Sequence, residues 1–129
     1  MLSYVMVGST NIKRSAKFYT AALALLGYVP GVDSKNYIGF GPKGAPDKAQ
    51  FFVTKPFNKK AATAGNGTMI TLKAKSRKAV DGFHAAALAN GGTDEGKPAL
   101  RPADGTNYFA YIRDPDGNKI CAHCSRAKK

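Results

Sequence analysis

The sequence predicts an α+β fold of two βαβββ modules, with curled sheets around a cavity and helices outside. Three observations predict it. Strand-like and helix-like segments follow one another in the same order in both halves of the 129-residue chain. Four positions recur at a constant offset of 65 residues: Tyr4 and Met69, Phe18 and Phe83, Leu23 and Leu88, Gly27 and Gly92. The chain is long enough to bury one real core, so the expected organisation is a single domain over 1–129, with modules at about 1–60 and 66–126.

Each element has its own signal. Residues 3–8 are β-prone, and Thr10 or Asn11 can cap the helix that follows. Ile12, Ser15, Phe18, Tyr19, Ala22, Leu23 and Leu26 lie on one face of that helix, which Gly27 ends. Gly, Pro and Asp then separate strands expected near 27–33, 36–41 and 49–54. Residues 55–66 form a polar connector without periodicity. The second module opens at Thr68–Lys73, with Ser76 as helix cap and Val80, Phe83, His84, Ala87 and Leu88 as the helical stripe. Gly91 and Gly92 terminate it, and strands are expected near 96–99, 107–113 and 118–124. The last two are joined by the turn sequence Asp114-Pro115-Asp116-Gly117-Asn118.

Composition narrows the function classes. The hydrophobic fraction is 43% and the charged fraction 22%, which argues against disorder. No apolar run is long enough to span a membrane, and the N-terminus lacks the charge and apolar pattern of a signal peptide, so a cytoplasmic location is expected. A net charge of +12 favours anionic partners. The basic residues are scattered, however, and only the run Ser125–Lys129 is local, so nucleic acid is not the expected partner. Histidine and carboxylate are scarce: His84, His123, one glutamate (Glu95) and seven aspartates supply any acid–base or metal chemistry.

The opening YVMVGSTNIKRSAKFYTAALALLGY, the segment GNGTMITLKAKSRKAVDGFHAAALANGGT and the closing YFAYIRDPDGNKI resemble the vicinal oxygen chelate superfamily. That superfamily includes glyoxalase, bleomycin-resistance proteins and extradiol dioxygenases. The resemblance spans nearly the whole chain and implies paired modules, commonly a homodimer, and a cavity holding a divalent metal on His and Glu. The corresponding positions here are Tyr4, Phe52, Met69 and Cys121. A phenol, a benzene ring, a thioether and one thiol do not replace imidazole and carboxylate for a hard or borderline metal. No metal and no other cofactor is expected, and the resemblance supports the fold more than the metal-dependent chemistry.

Strand alternation assigns the faces. Val5, Val7, Ile70, Leu72, Ile120 and Ala122 are expected against the helices. Tyr4, Met6, Met69, Thr71, Cys121 and His123 are expected toward the cavity, joined by Phe52 and Tyr111. These eight form the candidate ligand-binding set, and no catalytic residue is assigned. The pocket suits a small, partly apolar molecule, with an anionic group held by a rim Lys or Arg. Competing readings stand beside this one. Tyr4 and Met69 can be plain core. Cys121 and Cys124, three apart on a strand, point to opposite faces and are read as unrelated thiols. His84 reads as a satisfied histidine at the core, and His123 reads as either a pocket residue or a surface residue. Three functions compete: a lyase-type enzyme relative without the usual metal site, a non-catalytic resistance protein that binds an antibiotic or toxic metabolite, and, behind both, a basic nucleic-acid-associated protein.

Overall fold

The computed structural model describes residues 1–125; the basic run therefore lies, past Ser125, outside the described residues. Ten elements follow in order: β1 (Val5–Gly8), α1 (Ile12–Ala24), β2 (Tyr28–Asp33), β3 (Tyr37–Pro42), β4 (Phe51–Thr54), β5 (Ile70–Lys73), α2 (Arg77–Ala89), β6 (Thr93–Leu100), β7 (Asn107–Arg113) and β8 (Lys119–Ser125). The repeat offset of 65 residues carries β1 onto β5 and α1 onto α2 at both ends of each element. The caps obey it too: Asn11 accepts a hydrogen bond from the Arg14 backbone N–H at 3.0 Å, and Ser76 from that of Ala79 at 3.1 Å.

Each module makes one sheet. The strand orders are β1-β4-β3-β2 and β5-β8-β7-β6, so both sheets follow one topology. The helix crossover makes the β1–β4 and β5–β8 pairs parallel, and the remaining pairs are antiparallel. The sheets do not close into a barrel, and β1 and β5 lie at sheet edges.

The helix-facing sides build one core. Phe18, Tyr19 and Leu23 of α1, Val80 and Phe83 of α2, Phe40 and Val53 of the first sheet, and Ile112 and Ile120 of the second belong to one buried cluster. Val7, Ile120 and Ala122 lie within it, and Val5, Ile70 and Leu72 pack against it, as strand alternation predicts.

A polar clasp ties the second module's closing turn to the first module. The Asn118 side-chain amide donates to the Gly8 carbonyl at 3.0 Å, and the Thr10 N–H donates to Asp116 at 2.9 Å. Arg14 pairs with the same carboxylate at 2.9 Å, and Ser15 donates to its other oxygen at 3.0 Å. The strong turn sequence is thus also an inter-module joint.

Three local expectations are corrected. The first strands start at Val5 and Ile70, two residues after the sequence expectation at each site. Leu88 is 40% exposed and is not part of the buried stripe, whereas its counterpart Leu23 is 1% exposed. Gly27 lies two residues beyond the α1 cap Leu25, with φ +85°, and is not the first residue past it. In α2, by contrast, Gly91 (φ +99°) directly follows the cap Asn90 and the Gly92 N–H donates to the Ala87 carbonyl at 2.9 Å, so the two glycines together terminate the helix as expected, and Gly92 is closely packed as well.

Candidate functional site

The candidate residues divide among three places. Tyr4, Met69 and Thr71 meet around a cleft of about 520 Å³ between the β1 and β5 edges. Leu23 and Leu26 at the end of α1, with Tyr28, Gln50 and Phe51, line the same cleft. The equivalent first strands therefore face each other across a space and are not hydrogen-bonded neighbours.

Met6 and Phe52 stand opposite each other on the outer face of the first sheet, the face turned away from the helices. Phe52 meets the edge of Tyr4 at 5.0 Å and of Tyr37 at 6.1 Å between ring centroids. Tyr4, Met6 and Tyr37 are all exposed, which leaves an apolar patch of aromatic and thioether groups open.

Tyr111, Cys121 and His123 share the outer face of the second sheet, where Thr71 pairs with Cys121 and Cys121 with Tyr111. Phe109 stacks on His123 at 4.6 Å and on Tyr111 at 5.8 Å, with interplanar angles of 19° and 15°. The three rings make a half-buried row across the sheet. The His123 Nε2 lies 2.9 Å from Asn107 Oδ1, so its ring is fixed at one end of the row. The Arg101 guanidinium lies over the Tyr111 ring at 5.2 Å, and the Lys119 ammonium at 5.5 Å. Sequence reasoning missed Phe109 and Lys119, although parity with Tyr111 and with Cys121 assigns both to this face. Arg101 carries no such signal, because it lies past the end of β6.

Cys121 is fully covered, yet it lies outside the helix-side core that holds Cys124. Its thiol donates to the Ala122 carbonyl at 3.5 Å. Burial pushes its pKa up, against the lowering influence of a Thr71 hydrogen bond, the Ala110 backbone, Lys119 and Arg101. Cys121 is therefore held as a protonated thiol and is a poor nucleophile. Both cysteines are free, as the opposite-face argument expects. His84 is buried and bonded to Asp94 at 2.9 Å, which fits its reading as a satisfied histidine.

The residues at the superfamily's metal positions do not fit a divalent ion. Phe52 is occupied by ring contacts, and Cys121 is a covered, protonated thiol turned to a carbonyl. Tyr4 and Met69 bring no imidazole or carboxylate. Among the described residues no three His, Cys, Asp or Glu side chains are grouped to hold a metal.

Comparison with known proteins agrees with the architecture. No protein-family model matches the chain, and no curated protein matches it. Among solved structures, a glyoxalase/bleomycin resistance protein from Albidiferax ferrireducens T118 is 44% identical, covers 95% of this chain and 96% of its own, and superposes with a TM-score of 0.83. A glyoxalase-related enzyme from Fulvimarina pelagi shares the fold at 18% identity, TM-score 0.72, over 96% of this chain and 87% of that one. A glyoxalase/bleomycin resistance protein/dioxygenase family enzyme from Burkholderia phytofirmans PsJN does so at 19% identity, TM-score 0.70, over 96% and 98%. Among the described residues no helix is long and apolar enough to cross a membrane.

Proposed function

The chain belongs to the glyoxalase/bleomycin resistance protein family, and from that premise we propose that it binds a small, partly apolar molecule without metal-dependent chemistry. The cleft between β1 and β5 carries this reading. Its volume of about 520 Å³ suits a small organic molecule, and Tyr4, Met69 and Thr71 from both modules converge on it. The aromatic face of the second sheet continues from it, because Thr71 lies beside Cys121.

Binding is favoured over lyase chemistry by the state of the acid–base groups. Glyoxalase-type catalysis needs a polarised carbonyl and a carboxylate or imidazole to move a proton. The Glu95 carboxylate is paired with Arg113 at 3.3 Å, and His123 is stacked and bonded to Asn107. A resistance-type role, in which the protein sequesters an antibiotic or toxic metabolite, asks for neither group.

A homodimer belongs to the same proposal. The open edges of β1 and β5 and the exposed Tyr4, Met6, Tyr37 and Met69 are surfaces that a second copy would cover. Sedimentation at micromolar concentration is expected to show a dimer, and a monomer there and above overturns this part.

The ligand is tested by a thermal-shift screen of anionic metabolites, thiol conjugates and antibiotics, since ligand bound to the native state raises Tm. Met69→Trp, at an exposed position on the cleft, is expected to keep the fold and abolish the shift of any hit. A hit whose shift survives Met69→Trp, or a screen without hits, overturns the assignment of the cleft.

A further inference from the structure

We propose that the outer face of the second sheet is an anion-selective subsite, taking a planar aromatic carboxylate or sulfonate with its charge at Arg101 and Lys119 and its ring along the row of Tyr111, Phe109 and His123. The proposal rests on the small-molecule reading above and adds the class of ligand.

Two cations converge on one ring. Arg101 and Lys119 lie 5.2 and 5.5 Å from the centroid of Tyr111. Both also stand close enough to Cys121 to favour its charged form electrostatically, so they converge on the same spot of the face. Among the described residues, neither is paired with a carboxylate: Arg101 donates to the Lys97 carbonyl at 2.9 Å and otherwise meets only the ring. The neighbouring acids are engaged elsewhere, Glu95 with Arg113 and Asp94 with His84. Two like charges gathered without a counterion repel each other, and an anion bound between them turns that repulsion into attraction.

The backbone is shaped for this arrangement. Gly96 stands opposite Tyr111 in the β6–β7 ladder, at an irregularity in the register. A Cβ there would come within 2.7 Å of the Tyr111 ring and 3.2 Å of the Arg101 guanidinium. Glycine thus lets the ring and the cation settle over the strand together. Beyond the charged end, the near-parallel rings of Phe109 and His123 offer flat apolar area to an aromatic body. Among the described residues no helix or strand packs on this face, because β6, β7 and β8 meet only one another, β5 and α2.

The test uses a matched pair of probes, 8-anilinonaphthalene-1-sulfonate and its uncharged counterpart N-phenyl-1-naphthylamine. Affinity is measured by fluorescence, and the site by amide shifts of Gly96, Phe109, Tyr111 and Cys121 in the intact chain. The expected result is at least tenfold tighter binding of the sulfonate, with shifts on these residues. Arg101→Gln and Lys119→Gln should each weaken the sulfonate about three- to tenfold and leave the neutral probe unchanged. Lys119→Gln keeps the test decisive should the Arg101 variant fail to fold. Equal affinity for both probes on this face, insensitive to both substitutions, overturns the anion subsite and leaves the small-molecule reading standing. Shifts confined to the β1–β5 cleft overturn the subsite and support the cleft. Absence of binding by either probe overturns the subsite, and the screen with Met69→Trp then judges the broader reading by itself.

Discussion

The Tyr19 hydroxyl, on α1 of the first module, donates a 2.6 Å hydrogen bond to the Asp114 carboxylate at the end of β7 in the second. Both residues are buried. Asp114 also accepts from the backbone N–H groups of Asp116 and Asn118, each at 2.9 Å, so the same carboxylate that shapes the turn anchors it to the other module. Removing the phenol leaves a buried carboxylate short of a donor, which costs about 1–3 kcal/mol. Tyr19→Phe is therefore expected to lower urea stability by that amount without changing the fold. A variant as stable as the parent would show that the bond holds nothing together.

The same phenol predicts an alkaline limit. Burial first, then the charge and hydrogen bond of Asp114 and the charge of Asp116, raise the Tyr19 pKa well above 10.0. The native state thus prefers the neutral phenol, while the unfolded phenol ionises near its ordinary value. The stabilisation is fully present below pH 10 and is lost as pH rises from there toward the folded value. Tyr108, pushed up to about 12 chiefly by its hydrogen bond to Asp81, acts in the same direction, but its ring is only partly buried and that hydrogen bond is open to solvent, so it adds less. Denaturation midpoints followed from pH 9 to 11.5 should fall, and fall less steeply in Tyr19→Phe. Parallel curves for the two proteins would assign the loss to other groups.

Gly27 and Gly92 occupy matching places in the repeat but are needed for different reasons. Gly27 has φ +85° and open space around its missing side chain. Gly92 has ordinary φ, but a Cβ would meet the Phe18 ring at 2.7 Å and the carbonyls of Ala87 and Arg113 at 2.9 Å. Asparagine tolerates the left-handed region better than other residues with a side chain. Gly27→Asn is thus expected to cost under about 1 kcal/mol, and Gly92→Asn about 3 kcal/mol or more through overpacking against backbone. Thermal unfolding of the pair decides it, and equal costs would contradict the distinction.

Much of this was legible in the chain because the repeat is local and physical. Asn11 and Ser76 cap equivalent helices, and Phe18 and Phe83 fill equivalent core positions, so two independent stretches report the same unit. Strand parity placed Val7, Ile120 and Ala122 in the core and Cys121 on the other face. Parity does not say what lies above a face, which is why Tyr4 and Phe52 meet edge to face at the first sheet while Tyr111 lies on the second, instead of all three lining one closed pocket. The inter-module clasp was also hidden. The Asp-Pro-Asp-Gly-Asn stretch announces a turn by its backbone preferences, while its contacts with Thr10, Arg14 and Ser15 span more than 100 residues.

The two cysteines give a further contrast. Cys124 is packed among core side chains beneath the helices, while Cys121 is covered on the outer face by side chains that have no helix above them. A large residue at 124 must push against close-packed neighbours, but one at 121 can displace Arg101 or Lys119 into solvent. Cys124→Trp is expected to cost about 3 kcal/mol or more, and Cys121→Trp less than about 1.5 kcal/mol. Urea titration of both, with near-ultraviolet circular dichroism to confirm packing, checks the order. A Cys121 variant as damaged as the Cys124 variant would place that thiol in a closed core and remove it from any ligand surface.

Leu23 and Leu88 test how far the repeat extends into energetics. They are equivalent by offset and lie near the ends of equivalent helices. After α1 the chain runs through Leu25 and Leu26 before turning at Gly27, and Leu26 is itself buried. After α2 it turns at once at Gly91, which stands where the first module has Leu26, so the second module lacks that apolar cover. Leu23 is accordingly 1% exposed and Leu88 40% exposed. Truncating a buried leucine loses both its transfer free energy and the packing around it, about 2–5 kcal/mol, whereas a surface truncation stays within about 0.5 kcal/mol. Leu23→Ala should thus be strongly destabilised, and it should widen the β1–β5 cleft, whose wall Leu23 forms. Leu88→Ala should unfold at nearly the parent's urea midpoint. Equal losses at the two positions would mean that α2 buries Leu88 in solution, against a partner surface or a second copy of the chain, and repeating the measurement across protein concentration would separate that case from a misplaced helix end.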